Sequence, residues 1–240
     1  MGKVMTKEEW RRKKRRKRRG SVLLGFLMFT GIMILIALCV KEYQDTFGTP
    51  NENETITGAL SNGVEIQRDY LTPNQYSRPQ KDLDKVKGIV IHYTANPGTS
   101  AKNNRSYFQG LASSGVTYAS SHFVIGLEGE IIQCIPLTEI AYASNNRNKD
   151  TISIECCHPD ETGKFNDQTY DSLVSLVAKL CKMYRLKEED IIRHYDVTGK
   201  LCPLYYVDHP DAWEKMKEDI MKEVKRKDVV TTTPEKKEKQ

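Results

Sequence analysis

The chain has 240 residues, of which 38% are hydrophobic and 29% are charged, as is ordinary for one sizeable globular domain with appendages. Its net charge of +5 is unevenly distributed. Residues 1–20 hold eleven of the 37 basic residues and two of the 32 acidic ones, which leaves 26 basic and 30 acidic residues in the rest of the chain. A nucleic-acid-binding domain carries its basic groups on the folded surface, so this distribution argues against a nucleic-acid partner.

The basic segment is followed by an uncharged stretch, residues 21–40. Twenty apolar residues in a helix span about 30 Å, the hydrocarbon thickness of a bilayer. The pattern predicts one transmembrane helix, with residues 1–20 cytoplasmic and the remainder outside the cell membrane. A cleaved signal peptide is the alternative, although its apolar region is normally shorter and Leu38 before Cys39 does not suit lipoprotein-type cleavage.

After the membrane span, residues 41–63 are polar and lack apolar periodicity, which predicts a tether. The pattern between residues 64 and 225 predicts a folded domain, and residues 226–240 are expected to form a frayed tail. Helices and strands alternate in this domain, so we expect an α/β fold with a mixed central sheet flanked by helices. The predicted elements, in chain order, are strands over 64–69 and 89–94, a helix capped by Ser100 and ending near Gly115, a hairpin over 121–135, a strand over 151–157, a helix over 166–184, a strand over 191–193 and a helix from Pro210.

The strand over 151–157 alternates between two faces. Ile152, Ile154 and Cys156 are expected to face one side, while Ser153, Glu155 and Cys157 face the other. A carboxylate within an apolar strand is costly to bury without a partner. Glu155 is therefore a candidate functional residue.

Six cysteines occur in the chain. Cys39 falls in the predicted span, and the spacing of the other residues does not define disulfide pairs. Adjacent Cys156 and Cys157 would point in opposite directions on a strand, so one partner could not serve both. Free buried thiols are the simpler expectation for Cys134, Cys156, Cys157 and Cys181.

Three residues have the chemistry of a zinc site. His92 lies near the end of the strand over 89–94, while His194 and Cys202 flank a turn at Thr198 and Gly199. A catalytic zinc site needs three protein ligands and one open position, and zinc then activates water and polarises a carbonyl. Glu155 is a candidate proton carrier, and Lys200 is a candidate to stabilise the negative oxygen of a tetrahedral intermediate.

The motifs IVIHYTANPGTSAKNNRSYF, SSHFVI, DTISIECCHPD and RHYDVTGKLCP resemble the zinc-dependent N-acetylmuramoyl-L-alanine amidases. This family includes AmpD-type enzymes, phage lysozyme-type amidases and peptidoglycan recognition proteins, and the resemblance covers roughly residues 64–220. It implies that Zn²⁺ is held by His92, His194 and Cys202. It also implies that Glu155 is the general base and that Lys200 assists the oxyanion.

The chain departs from the family pattern at two positions. Ser121 replaces the catalytic tyrosine of phage-lysozyme-type members, which favours the glutamate-dependent mechanism, and Ala143 replaces a histidine found in many relatives. His122 is a less favoured ligand candidate. His158 is expected either to contact substrate or to face solvent.

The resemblance predicts a membrane-anchored peptidoglycan hydrolase. It would cleave the amide between the lactyl group of N-acetylmuramic acid and the L-alanine of the stem peptide. The alternative is a module that binds muropeptides without cutting them. Such binders typically lack the cysteine ligand, so Cys202 favours the enzyme.

Overall fold

The computed structural model describes residues 8–10, 29–36, 38, 56 and 58–226. The chain divides into two units, Met1–Thr49 and Pro50–Gln240. Residues 29–36 and 38 of the predicted span are helical, while the rest of that span lies outside the described residues, as do most of the basic segment, most of the tether and the tail from residue 227. Within the described ranges, no helix has the length and apolar character needed to cross a membrane.

The second unit is built on a mixed sheet whose described strands have the order β1-β4-β3-β5-β2-β6. Its β3 and β4 are antiparallel and form the predicted hairpin, whereas the other described neighbours are parallel. This arrangement confirms the mixed central sheet. The strands are Ile66–Arg68 (β1), Gly88–Tyr93 (β2), Phe123–Ile125 (β3), Ile131–Gln133 (β4), Thr151–Cys156 (β5) and Ile191–Arg193 (β6).

Helices connect parallel strands of the sheet, and further helices follow the last strand. The first is capped as predicted: the Ser100 side chain accepts a hydrogen bond from the Asn103 backbone N–H, and Gly115 ends the helix in the left-handed conformation at φ 62°. The helices are Ala101–Ser114 (α1), Asp167–Tyr184 (α2), His194–Thr198 (α3), Leu204–Asp208 (α4) and Pro210–Lys225 (α5).

The two faces of the sheet pack against different helices. On one face, Ile91 and Ile154 join a buried cluster with Leu176 of α2 and Met216 of α5. The opposite face carries a smaller cluster that includes Phe108 of α1. Because side chains alternate along a strand, residues next to Ile91 and Ile154 project toward the second face. The hydrophobic pattern therefore decides which face receives His92 and Glu155.

The packed unit begins before residue 64. Ile56 and Leu60 are buried in the main cluster, and the Asn62 side chain donates a hydrogen bond to Ser172 Oγ at 3.2 Å. Two isolated apolar residues in a polar stretch have no detectable period, so the pattern did not predict this contact with α2.

Candidate metal centre

The candidate site lies at the carboxyl ends of three parallel strands. His92 is the fifth residue of β2, and the β2–β5 register places it directly opposite Glu155. On the other side of β2, strand β6 ends at Arg193, so His194 begins α3 at the same edge. Open α/β sheets characteristically bind ligands at this edge.

Cys202 reaches the site through a reversal of the chain. Helix α3 ends at Gly199, whose left-handed φ of 79° is readily adopted by glycine. The Tyr195 N–H then donates to the Cys202 carbonyl oxygen at 2.9 Å, which ties the returning segment to α3. Five helical residues and a glycine cap thus take the place of the simple turn expected between His194 and Cys202.

The ligand atoms of His92, His194 and Cys202 lie within 4.8 Å of one another, and all three residues are buried. Cys202 Sγ is 3.8 Å from His92 Nδ1. The two imidazole rings have centroids 4.7 Å apart and are inclined at 60°. Zinc bonds of about 2.0–2.3 Å in a tetrahedron place ligand atoms roughly 3.3–3.8 Å apart, so small movements suffice to enclose the ion.

The hydrogen bonds of the two histidines suit metal binding through Nδ1. His92 Nε2 lies 3.1 Å from Ser144 Oγ, and His194 Nε2 lies 3.1 Å from Asn145 Oδ1. By contrast, His194 Nδ1 is buried and has no hydrogen-bond partner. An unpartnered buried nitrogen facing an imidazole and a thiol fits a site for a borderline-soft cation such as Zn²⁺.

The local electrostatics favour the neutral form of both imidazoles. Burial lowers the pKa of His92 well below its usual value, with further lowering by the charges of His194 and Lys200. Burial also lowers the pKa of His194, and Lys200 adds to the effect. Burial and, to a smaller extent, the Glu155 charge raise the pKa of Cys202 to about 12, although the Tyr93 backbone N–H and the Lys200 charge oppose the shift. A bound cation would supply the charge needed to hold the thiolate.

Glu155 stands beside the proposed ligands with a free hydrogen-bonding oxygen. Its Oε1 lies 4.0 Å from His92 Nδ1, and its Oε2 is buried without a partner. Burial raises the pKa of Glu155 to about 8, and the Lys200 charge opposes that shift. Lys200 is exposed, yet its charge acts on every member of this group. His92, His194, Cys202 and Glu155 therefore lie together, and Lys200 acts on them through its charge.

The remaining histidine candidates lie outside this group. His122 is buried and engaged at both nitrogens, with Nδ1 3.0 Å from Ser153 Oγ and Nε2 2.9 Å from the Glu139 carbonyl oxygen. His158 is also buried, which contradicts a solvent-facing position, and its ring packs 5.1 Å from that of Tyr93.

The cysteines of the second unit and Ser121 are buried and contact other groups of the domain. Cys134, Cys156, Cys157 and Cys181 are free and buried, as expected, and Cys157 Sγ lies 3.5 Å from Asn104 Nδ2. Ser121 is buried, with its hydroxyl 3.3 Å from that of Ser153. The residue at the family's tyrosine position thus offers only a short hydroxyl engaged within the domain.

A cleft of about 550 Å³ lies beside the segment that carries Ser144. Tyr142, two residues earlier in the chain, lines it together with Tyr118, whose ring is 5.5 Å away. Arg78 also lines the cleft, but Glu139 pairs with its guanidinium at 2.7 Å. The cleft therefore offers aromatic and polar side chains together with the charged side chain of Lys81.

Comparisons with known proteins agree with this arrangement. A family model described as N-acetylmuramoyl-L-alanine amidase matches residues 82–204, which include all five candidate site residues. The chain is 40% identical over 158 residues to the N-acetylmuramoyl-L-alanine amidase CwlL of Bacillus licheniformis, covering 60% of this chain and 43% of that protein. It is 33% identical over 188 residues to BlyA of Bacillus subtilis strain 168, covering 70% of this chain and 50% of that protein. The chain thus spans about half the length of these curated relatives.

Among solved structures, the catalytic domain of PlyG superposes with a TM-score of 0.57 at 27% sequence identity. That match covers 71% of this chain and 99% of the PlyG domain. The match therefore spans nearly the whole of the PlyG domain.

Proposed function

The chain belongs to the N-acetylmuramoyl-L-alanine amidase family, and from this premise we propose that it hydrolyses the amide between the lactyl group of N-acetylmuramic acid and the L-alanine of the peptidoglycan stem peptide. The observation that carries the proposal is the convergence of His92, His194 and Cys202 next to an unpaired carboxyl oxygen of Glu155. A metal-binding triad without a base would hold an ion, whereas a triad with a base can also hydrolyse an amide.

Each residue has a distinct role in the proposed reaction. His92, His194 and Cys202 would hold Zn²⁺, which supplies a Lewis acid for the amide carbonyl and lowers the pKa of the attacking water. Glu155 accepts a proton from that water and then delivers it to the departing amide nitrogen. The Lys200 ammonium stabilises the negative charge that develops on the carbonyl oxygen. The products are a lactyl carboxylate and the free amino group of L-alanine.

Peptidoglycan hydrolysis can be tested with the full-length chain in detergent. Purified cell wall should yield new L-alanine amino termini and free stem peptides, while the glycan strands stay intact. Because zinc is part of the proposed site, a chelator should abolish the release and added Zn²⁺ should restore it. Absence of new alanine amino termini from the zinc-loaded protein would refute the activity, and binding without cleavage would favour the muropeptide-binding alternative.

We also propose that residues 21–40 anchor the enzyme in the cell membrane, with the amidase domain outside. Eleven basic residues precede this uncharged stretch, which fits the positive-inside orientation. The side chains of Phe29, Met33 and Leu35 are each at least half exposed. Membrane fractionation of the full chain and of a variant lacking residues 1–40 tests the anchor. Release of the full chain by salt alone would contradict it.

A further inference from the structure

Neighbouring residues of one short loop contact both candidate histidine ligands. Ser144 Oγ lies 3.1 Å from His92 Nε2, and Asn145 Oδ1 lies 3.1 Å from His194 Nε2. His92 comes from β2 and His194 follows β6, so the loop joins two ligands that are 102 positions apart in the chain. We propose that Ser144 and Asn145 are positioning residues that hold both imidazoles with Nδ1 directed at the metal.

The proposed tautomer follows from the hydrogen bonds. A neutral imidazole carries one N–H and one lone pair. Because the carbonyl oxygen of the Asn145 side chain can only accept, His194 Nε2 must donate, and its lone pair is then on the unpartnered Nδ1. The opposite tautomer would place two acceptors in contact. In metal sites, such outer hydrogen bonds orient histidine ligands and increase their basicity.

The loop is held in place by its own contacts, independently of a metal. Asn148 Oδ1 accepts hydrogen bonds from the backbone N–H groups of Ala143 at 3.0 Å and Ser144 at 2.5 Å. The Thr151 hydroxyl donates to the Arg147 carbonyl oxygen at 2.7 Å, which ties the loop to the start of β5. These contacts hold the backbone from which the Ser144 and Asn145 side chains reach the two histidines.

Asn145 itself has a left-handed backbone, with φ 53°. Asparagine tolerates this conformation better than most residues that have a Cβ, and glycine tolerates it best. Asn145→Gly therefore removes the side-chain acceptor while preserving a backbone that the loop can adopt. Asn145→Asp keeps an acceptor at the same reach and removes the amide donor. Asn146, an exposed neighbour of the same type, provides a matched control as Asn146→Ala.

This inference rests on the proposed zinc-dependent function. The full-length chain in detergent is stripped of metal, and its Zn²⁺ dissociation constant is measured by competition with a chromogenic chelator. Asn145→Gly should bind Zn²⁺ about 10- to 100-fold more weakly than the parent protein, which is the usual cost of losing an outer hydrogen bond. Asn145→Asp and Asn146→Ala should bind with the parent affinity or better. The Co²⁺ absorption spectrum of Asn145→Gly should also change, because the geometry around the ion is altered.

The outcomes separate the two proposals. If the parent protein binds no Zn²⁺, the zinc-dependent function itself fails. If the parent binds Zn²⁺ and Asn145→Gly binds it equally well with the same Co²⁺ spectrum, only the positioning role is wrong. Equal weakening by Asn145→Asp and Asn145→Gly would also overturn that role, because an acceptor alone would not suffice. If circular dichroism shows that the metal-free Asn145→Gly protein is unfolded, Ser144→Ala is tested in its place. Its Zn²⁺ affinity should be lower than that of the parent by about tenfold or more. Parent-like affinity of Ser144→Ala would refute the inference.

Discussion

Replacing Glu155 by glutamine tests the proposed base most directly. The substitution preserves the size of the side chain and removes the group that accepts a proton. Glu155 Oε1 is 4.0 Å from His92 Nδ1, so the carboxyl group is close to the proposed ion without belonging to the ligand cluster. We therefore expect Glu155→Gln to bind Zn²⁺ normally and to lose its hydrolytic activity.

The surroundings of Glu155 set the size of the expected loss. General acid–base catalysis contributes about 10²- to 10⁴-fold, or roughly 3–5 kcal/mol at 1.36 kcal/mol per factor of ten. The buried hydroxyl of Ser121 replaces the family's tyrosine, and both nitrogens of His122 are engaged. Neither residue can take over the proton transfer, so the decrease in kcat should lie at the upper end, about 10³- to 10⁴-fold.

The assay measures the release of L-alanine amino termini from purified cell wall, with Zn²⁺ content determined on the same samples. Glu161→Gln is the matched control, because Glu161 is an exposed glutamate whose charge acts on Tyr93 at the site. More than a tenth of the parent activity in zinc-loaded Glu155→Gln would refute the role of Glu155 as the base. Loss of Zn²⁺ from the variant would instead identify Glu155 as part of the metal site.

Three further predictions concern the neighbouring residues. Lys200→Met should lower kcat by about 10- to 1,000-fold because an oxyanion-stabilising charge is lost, and an unchanged kcat at equal Zn²⁺ content would contradict its role. Cys202→Ser should weaken Zn²⁺ binding, so a lower chelator concentration should inactivate this variant than the parent. A titration of activity against the chelator measures the difference, and inactivation at the parent's chelator concentration would exclude Cys202 as a ligand. Burial lowers the pKa of His122 from 6.5 to about 4, so the unfolded chain takes up a proton first and the folded state is destabilised as the pH falls from 6.5 to 4. At about 1.36 kcal/mol per pH unit, the free energy of unfolding of the parent protein should fall by roughly 3 kcal/mol more than that of His122→Asn across this range, as measured by urea unfolding. Identical pH profiles of the two proteins would show that His122 does not titrate in this way.

Local pattern was sufficient to predict most of the sheet and the candidate residues. The apolar runs around His92 and Glu155 identified β2 and β5, and Ser100 and Gly115 marked the ends of α1 because caps are local in the chain. The metal-ligand candidates were recognisable only as a combination of two imidazoles and one thiol, and the resemblance of their motifs to the amidase family assigned their roles. The alternation of β5 also predicted correctly that Glu155 lies opposite the face of Ile154.

Tertiary structure decided which of these groups meet. The parallel register of β2 and β5 places His92 opposite Glu155, and a helix capped by Gly199 returns Cys202 to the same edge. Ser144 and Asn145 had no signal in the sequence, because short polar residues are common in loops and acquire their role only through contact with distant histidines. The sequence by itself determined the strand faces and the chemical types of the candidate ligands, because alternation and side-chain chemistry are local properties of the chain. The tertiary fold decided the distances between these side chains, their hydrogen bonds and their burial, because these features depend on contacts between residues far apart in the chain. A metal centre requires all three.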